Sequence, residues 1–213
     1  MRRSTRTQQQ KITVLLMTNG EKTEQKYLDL LKDAILKKHG KTYSVKVDFL
    51  AGAPVNLPNK LTKPTGDASA YDQVWLFVDK DNFPLANFIT DCRKEDKKRE
   101  KENNKGKKKG KLQPGHERVF RAVVSNPCFE VWLAAFFGKV SRYQNQNDAQ
   151  RHYESLAGLS SGTKDLPASI DLSKLAEQCD QAKLPNTDHI ELSSEGASPG
   201  TAIPNVLKFY GLV

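Results

Sequence analysis

The chain has 213 residues, 37% hydrophobic and 28% charged, with a net charge of +9 at pH 7, which suits one domain with a core of its own. No stretch nears the ~18 apolar residues of a membrane span, and residues 1–6 lack the apolar segment of a secretory signal, so a cytoplasmic protein without a membrane partner is expected. Cys92, Cys128 and Cys179 show no C-x-x-C spacing, which argues against a zinc cluster or a disulfide framework and for free thiols in a reducing compartment.

Residues 1–10 read as a basic, flexible N-terminus. Residues 11–17 (KITVLLM) read as a first core strand, ending at Thr18-Asn19-Gly20. A helix is predicted over 23–38, with Thr23 as N-cap, Gly40 as stop, and Leu28, Leu31 and Ile35 inward. Glu24 lies on that inward stripe at the helix N-terminus, aimed toward the strand ends; the plain alternative is a first-turn acid favoured by the helix dipole. Residues 44–49 alternate cleanly and predict a strand near an edge, and 51–70, rich in proline, predict a loop.

The stretch 71–81 (YDQVWLFVDKD) is an apolar run that stops at two acids one residue apart. Such a run suits a strand buried on both faces of a parallel sheet. Asp79 and Asp81 should then leave the same side of the chain, where two carboxylates repel unless a cation lies between them. Hard oxygen ligands at the carboxyl end of a strand suit Mg²⁺. A solvated loop is the alternative.

A helix from about residue 85 fades into a basic run. Residues 93–111 hold eleven basic and four acidic residues, a surplus of seven, and Arg2, Arg3, Arg6 and Lys11 add four, leaving the rest of the chain at −2. The positive charge thus sits on two polar segments, and 93–115 is expected to be an unstructured insertion that meets nucleic acid through Arg93, Lys97, Lys98, Lys107, Lys108 and Lys109. Residues 118–125 predict a fourth strand. It runs into a helix with Asn126 as cap, Pro127 at the first position and Gly138 as stop. Phe129, Trp132, Leu133, Phe136 and Phe137 form a wide apolar face that reads as core, with Glu130 at its start. Helices are predicted over 146–156 and 170–183, and a short terminal helix after 197–201 turns Val206, Leu207 and Phe209 inward. His39, His116, His152 and His189 stand singly and read as ordinary core or surface histidines. The order gives an α/β fold, a mostly parallel sheet of about four strands flanked by helices over 11–140, with a helical appendage over 141–213.

Three segments together resemble the RloB-like family of bacterial defence proteins, which carry a Toprim-type catalytic domain. They are GEKTEQKY at 20–27, similar to E-G-x-x-T-E-x-x-Y; Asp79-Lys80-Asp81; and SNPCFEVWL at 125–133, close to S-N-P-x-F-E-x-W-L. Ser198-Pro199-Gly200-Thr201 is similar to the family's N-P-S-T ending. The resemblance implies a Toprim-like sheet and a phosphoesterase-like site dependent on Mg²⁺, or on Mn²⁺. Asp79, Asp81 and Glu24 would hold the metal, with Glu130 a fourth acid and Asn126 near the substrate. It also implies a nuclease that stops phage growth, a partner ATPase, and room for a homo-oligomer. One departure matters: Asn19 stands where the family has glutamate. An amide can ligate a metal but cannot act as a base; Glu21 is the substitute within reach. The competing reading is a catalytically impaired module that binds nucleic acid or the ATPase. Topoisomerase or primase work is disfavoured, with no zinc cluster and no recognisable nucleophilic tyrosine.

Overall fold

The computed structural model describes residues 10–20, 22–63, 66–81, 83–110, 116–135, 137, 141–163, 165–167, 170, 191–196 and 198–213. The N-terminal arginines, Glu21, Lys111, Phe136, Gly138, Cys179, His189 and positions 171–183 of the expected helix lie outside the described residues.

Strands β1 (Ile12–Thr18), β2 (Tyr43–Phe49), β3 (Gln73–Asp79), β4 (Val119–Asn126) and β5 (Gly200–Thr201) form one sheet in the order β2-β1-β3-β4-β5. The first four are parallel, and β5 runs antiparallel to β4. The fifth strand was hidden in the sequence because it is only two residues long and begins on a glycine. Strands β1, β3 and β4 are buried almost throughout, as their continuous apolar runs require, whereas β2 alternates and forms an edge.

Helix α1 (Thr23–His39) crosses from β1 to β2, and α3 (Ala86–Lys108) crosses from β3 to β4. They cover opposite faces. Leu16, Trp75, Phe77 and Val123 belong to the core under α1, which also takes in α4 (Glu130–Ala135), α5 (Gln146–Ala157) and α6 (Ile203–Phe209). Leu15, Val74, Leu76, Val78 and Phe120 belong to the core under α3, together with α2 (Leu57–Thr62). Because β1 connects outward in one direction to β2 while β3 continues in the other, the sheet reverses its winding between β1 and β3. In open α/β sheets the carboxyl ends flanking that reversal form a crevice. Trp75 and Phe77 face α1, so period two turns Asp79 to the same side.

Several local expectations are revised. Thr23 does not cap α1; Lys22 holds the N-cap position without a side-chain hydrogen bond, and Gly40 ends the helix in right-handed geometry. Residues 51–70 contain two 3-10 turns, Pro54–Asn56 and Asp67–Ala70, around α2, since Leu57 and Leu61 have apolar surface to bury against α3. Asn126 ends β4 and bonds the Gly196 carbonyl at 3.2 Å, so it caps no helix; its peptide bond to Pro127 is cis, and α4 starts at Glu130.

The largest revision concerns the basic run, which is helical to Lys108. Three polar side chains anchor it to β4 and its approaches; one is Asp96, which accepts from the Phe120 N–H at 2.8 Å. Asn103 exchanges hydrogen bonds with the Arg118 backbone, 2.9 Å each way, as a neighbouring strand would. Arg99 is 4% exposed, and its guanidinium donates to the carbonyls of Ala68, Tyr71, Asp72 and Val119 at 2.8 to 3.0 Å. It also lies over the Phe120 ring at 5.4 Å. Burial and the nearby Arg118 lower its pKa to about 10, so it stays charged at neutral pH.

Arg99→Met keeps the bulk but strands four carbonyl acceptors. Urea denaturation should show a loss of about 3 kcal/mol, with Arg99→Lys recovering only part because one ammonium cannot span the fork.

Candidate functional site

The crevice between β1 and β3 opens into a cavity of about 450 Å³ lined by Asn19, Gly20, Lys22, Glu24, Asp79, Asp81, Cys128, Glu130, Gln146, Gln150 and Gly162. Five of the sequence-predicted site residues, Asn19, Glu24, Asp79, Asp81 and Glu130, therefore meet there from four separate segments.

Asp79 is the last residue of β3 and is partly buried. Its pKa is raised well above the usual carboxylate range, first by desolvation and then by Glu24, Glu130 and Asp81; the Phe129 backbone N–H opposes this weakly. Asp81 arrives by a different route from the one strand alternation predicts. The strand has already ended, and a left-handed backbone at Asp81 (φ 40°) turns it back toward the cavity. Its N–H donates to the Pro127 carbonyl at 2.8 Å, and that of Lys80 donates to Ser125 at 2.9 Å. The turn is thus clipped to the end of β4. Aspartate tolerates this conformation better than most residues.

Glu24 and Glu130 are held by aromatic packing. Tyr27, one turn after Glu24, meets Phe129 edge-on at 5.2 Å and Trp132 at 6.4 Å. The contact locks the N-termini of α1 and α4 together beneath the cavity. Gly20 permits the close approach of Glu24: a Cβ there would lie 2.2 Å from the Glu24 carboxylate. Asn19 reaches the Gly52 carbonyl only at 3.5 Å, too far to hold the amide firmly.

Lys22, Cys128, Gln146, Gln150 and Gly162 were not foreseen. Gln146 and Gln150 stand one turn apart on α5, and that i,i+4 spacing was the available signal. The loop beyond is tied down by Glu154, which accepts from Gly162 N–H at 2.9 Å and from Gln150 at 3.2 Å. Cys128 cannot supply a thiolate: burial and Glu130 push its pKa far up. Among the described residues no histidine lines the cavity, leaving carboxylates as the acid/base groups.

The expected substrate-binding lysines are not brought to this cavity. Helix α3 covers the other face of the sheet and runs from the carboxyl rim back past the amino ends. Lys107 pairs with Glu117, just before β4 begins, roughly 23 Å along the strands from Asn126. Arg93 bonds the Ser193 carbonyl. Asn126 lies beside the acids, in an adjoining cavity of about 410 Å³ that also includes Asp81 and Gln146.

The donor chemistry of the acidic cavity, carboxylate and amide oxygens, fits a hard divalent cation. Among the described residues no three acidic, histidine or cysteine side chains stand as a ready-made metal cage. The four acids face one space without closing on a point.

A carboxyl whose folded pKa is raised contributes stability that is complete below its unfolded pKa and lost as pH rises through the folded one. Asp79→Asn should therefore melt higher than the parent at neutral pH in metal-free buffer. The gap should shrink as pH falls from about 8 to 5 in paired thermal melts.

No curated protein and no solved structure matches the chain. A family model described as RloB-like protein matches residues 14–209, spanning both sides of the cavity and the C-terminal helix. The chain, with its three acid-bearing segments inside that match, belongs to the RloB-like protein family.

Proposed function

We propose that the acidic cavity is the centre of a metal-dependent nuclease that hydrolyses phosphodiester bonds of RNA or DNA, acting as an effector in phage defence. The observation that carries this reading is the partly buried Asp79 carboxyl facing Glu24, Glu130 and Asp81, a concentration of negative charge that costs the fold stability and that a cation would relieve. The resemblance of these segments to a Toprim-type centre, and of the chain to defence proteins that work beside an ATPase, supplies the biological setting.

Asp79, Asp81 and Glu24 would hold Mg²⁺ or Mn²⁺. A divalent ion so held polarises a phosphoryl oxygen and lowers the pKa of bound water. Asp79 is fixed by its place in the sheet as the last residue of β3, so it sets the depth of the centre. Asp81 is fixed by its clipped turn and sets the width. Glu130, at the start of α4, would take or return a proton on the leaving or attacking oxygen. Lys22 supplies positive charge at the cavity wall for a phosphate. Asn19 orients through its amide but moves no proton.

Asn19 favours a second reading, a Toprim-like module with impaired catalysis that binds nucleic acid or the ATPase. The open disposition of the acids agrees with it.

With Mg²⁺ or Mn²⁺ and with the partner ATPase present, the protein should cleave RNA or DNA, and Asp79→Ala should lower the rate by at least about 10²-fold. Asn19→Glu should raise it if the centre is impaired. Absence of metal-dependent cleavage in parent and Asn19→Glu alike, with retained polynucleotide binding, would establish the module instead.

A further inference from the structure

The helical order of the basic run has a consequence for its charges. Along α3, Lys94, Lys97, Lys101, Lys105 and Lys108 recur at intervals of three and four, and all five are exposed. At 100° per residue they fall within an arc of roughly 80°, about 180° away from the buried Phe88, Cys92, Arg99 and Asn103. The acids of the helix lie outside that arc, and three of them are already paired: Glu95 with Lys98, Asp96 with Arg121, and Glu102 with Arg118. Lys101 has Lys97, Lys98, Asn104 and Lys105 as its neighbours three and four positions away, with no acid among them. Like charges at this spacing disfavour a helix, yet Arg99 and Asn103 clamp it in place. The result is a straight, rigid row of ammonium groups about 21 Å long at 1.5 Å per residue.

We propose that this row is a docking surface for the phosphate backbone of a nucleic acid. It lies on the face of the sheet opposite the acidic cavity and is therefore a holding site separate from the scissile one. Charge complementarity selects the occupant. The arc holds Asn87 and Thr90 besides lysine, and no apolar side chain that could enter a lipid surface or form the dry centre of a protein interface. The exposed large apolar side chains among the described residues, Leu30 and Phe83, are both off this helix. Lysine ammoniums in a row, without aromatic readers, grip a repeating phosphate with little sequence preference. The inference deepens the nuclease reading by saying how a polymer is retained, and rests on it only for the polymer's class.

The test measures binding of the full chain, in EDTA, to fluorescent DNA and RNA duplexes of about 20 base pairs across a salt series. Five phosphate contacts predict a log–log salt slope of about −4 to −5. The triple variant Lys97→Gln/Lys101→Gln/Lys105→Gln should bring the slope to about −2 and weaken binding at 0.1 M salt by on the order of 10²-fold or more. A control of equal net charge, Lys37→Gln/Lys41→Gln/Lys63→Gln, changes exposed lysines elsewhere and should bind as the parent does. Preference between the two duplexes identifies the natural backbone. Equal losses in both triples, a parent slope shallower than −2, or binding to phosphatidylserine vesicles or polyglutamate but to neither duplex would each overturn the proposal. Cleavage of short oligonucleotides at the acidic cavity is scored separately with Asp79→Ala, so either idea can fail alone.

Discussion

The structure turns on one uncomfortable group: a carboxyl placed at the end of the central strand, partly withdrawn from water, with three other acids looking at it. Nothing in the packing of an α/β sheet requires an acid there. An apolar residue would continue β3 with less penalty, because desolvating a carboxylate among like charges is costly. Around this point the rest of the fold is arranged to keep acids in rather than let them swing out. The aromatic contact from Tyr27 to Phe129 and Trp132 fixes two helix starts, the bare Gly20 backbone gives Glu24 room, and the clip from Asp81 to Pro127 fixes the turn. Stability given up locally is a common mark of a functional centre.

The two faces of the sheet divide the labour. Under α1 lie most of the large aromatic residues and a buried polar chain in which Trp75 donates to Tyr210 at 2.8 Å and Tyr210 to Gln73 at 2.9 Å. That chain fastens α6, and with it the end of the polypeptide, beneath the strands that carry the acids. Residues of α5 and α6 share this core with β1 and β3, so the later part of the chain helps build the cavity wall. Under α3 the packing is mostly aliphatic, with Phe88 and Phe120 as its large aromatic residues, and the outer surface is basic.

Much of this was legible in the sequence, and for identifiable reasons. Continuous apolar runs gave β1, β3 and β4 because strands buried on both faces leave no polar period to confuse them, and the alternation of 44–49 marked an edge. Glu24 was found because it interrupts an apolar stripe, and Asp79 because it ends one. The route of Asp81 was misjudged since alternation ends where the strand does. The order of 99–108 was invisible because its anchors are backbone carbonyls distant in sequence, which no local count of charge can reveal. Asn126 looked like a helix cap by composition, but its partners, Gly196 and Gly200, lie some seventy residues on.

The turn after β3 narrows what evolution can place at position 81. Alanine or glutamate would resist its positive φ at a cost of about 1–2 kcal/mol, and glycine would relax the backbone while erasing the acid. Asparagine keeps the shape but not the negative charge. Aspartate alone meets both demands, so backbone geometry and ionic character are bound together at a single residue.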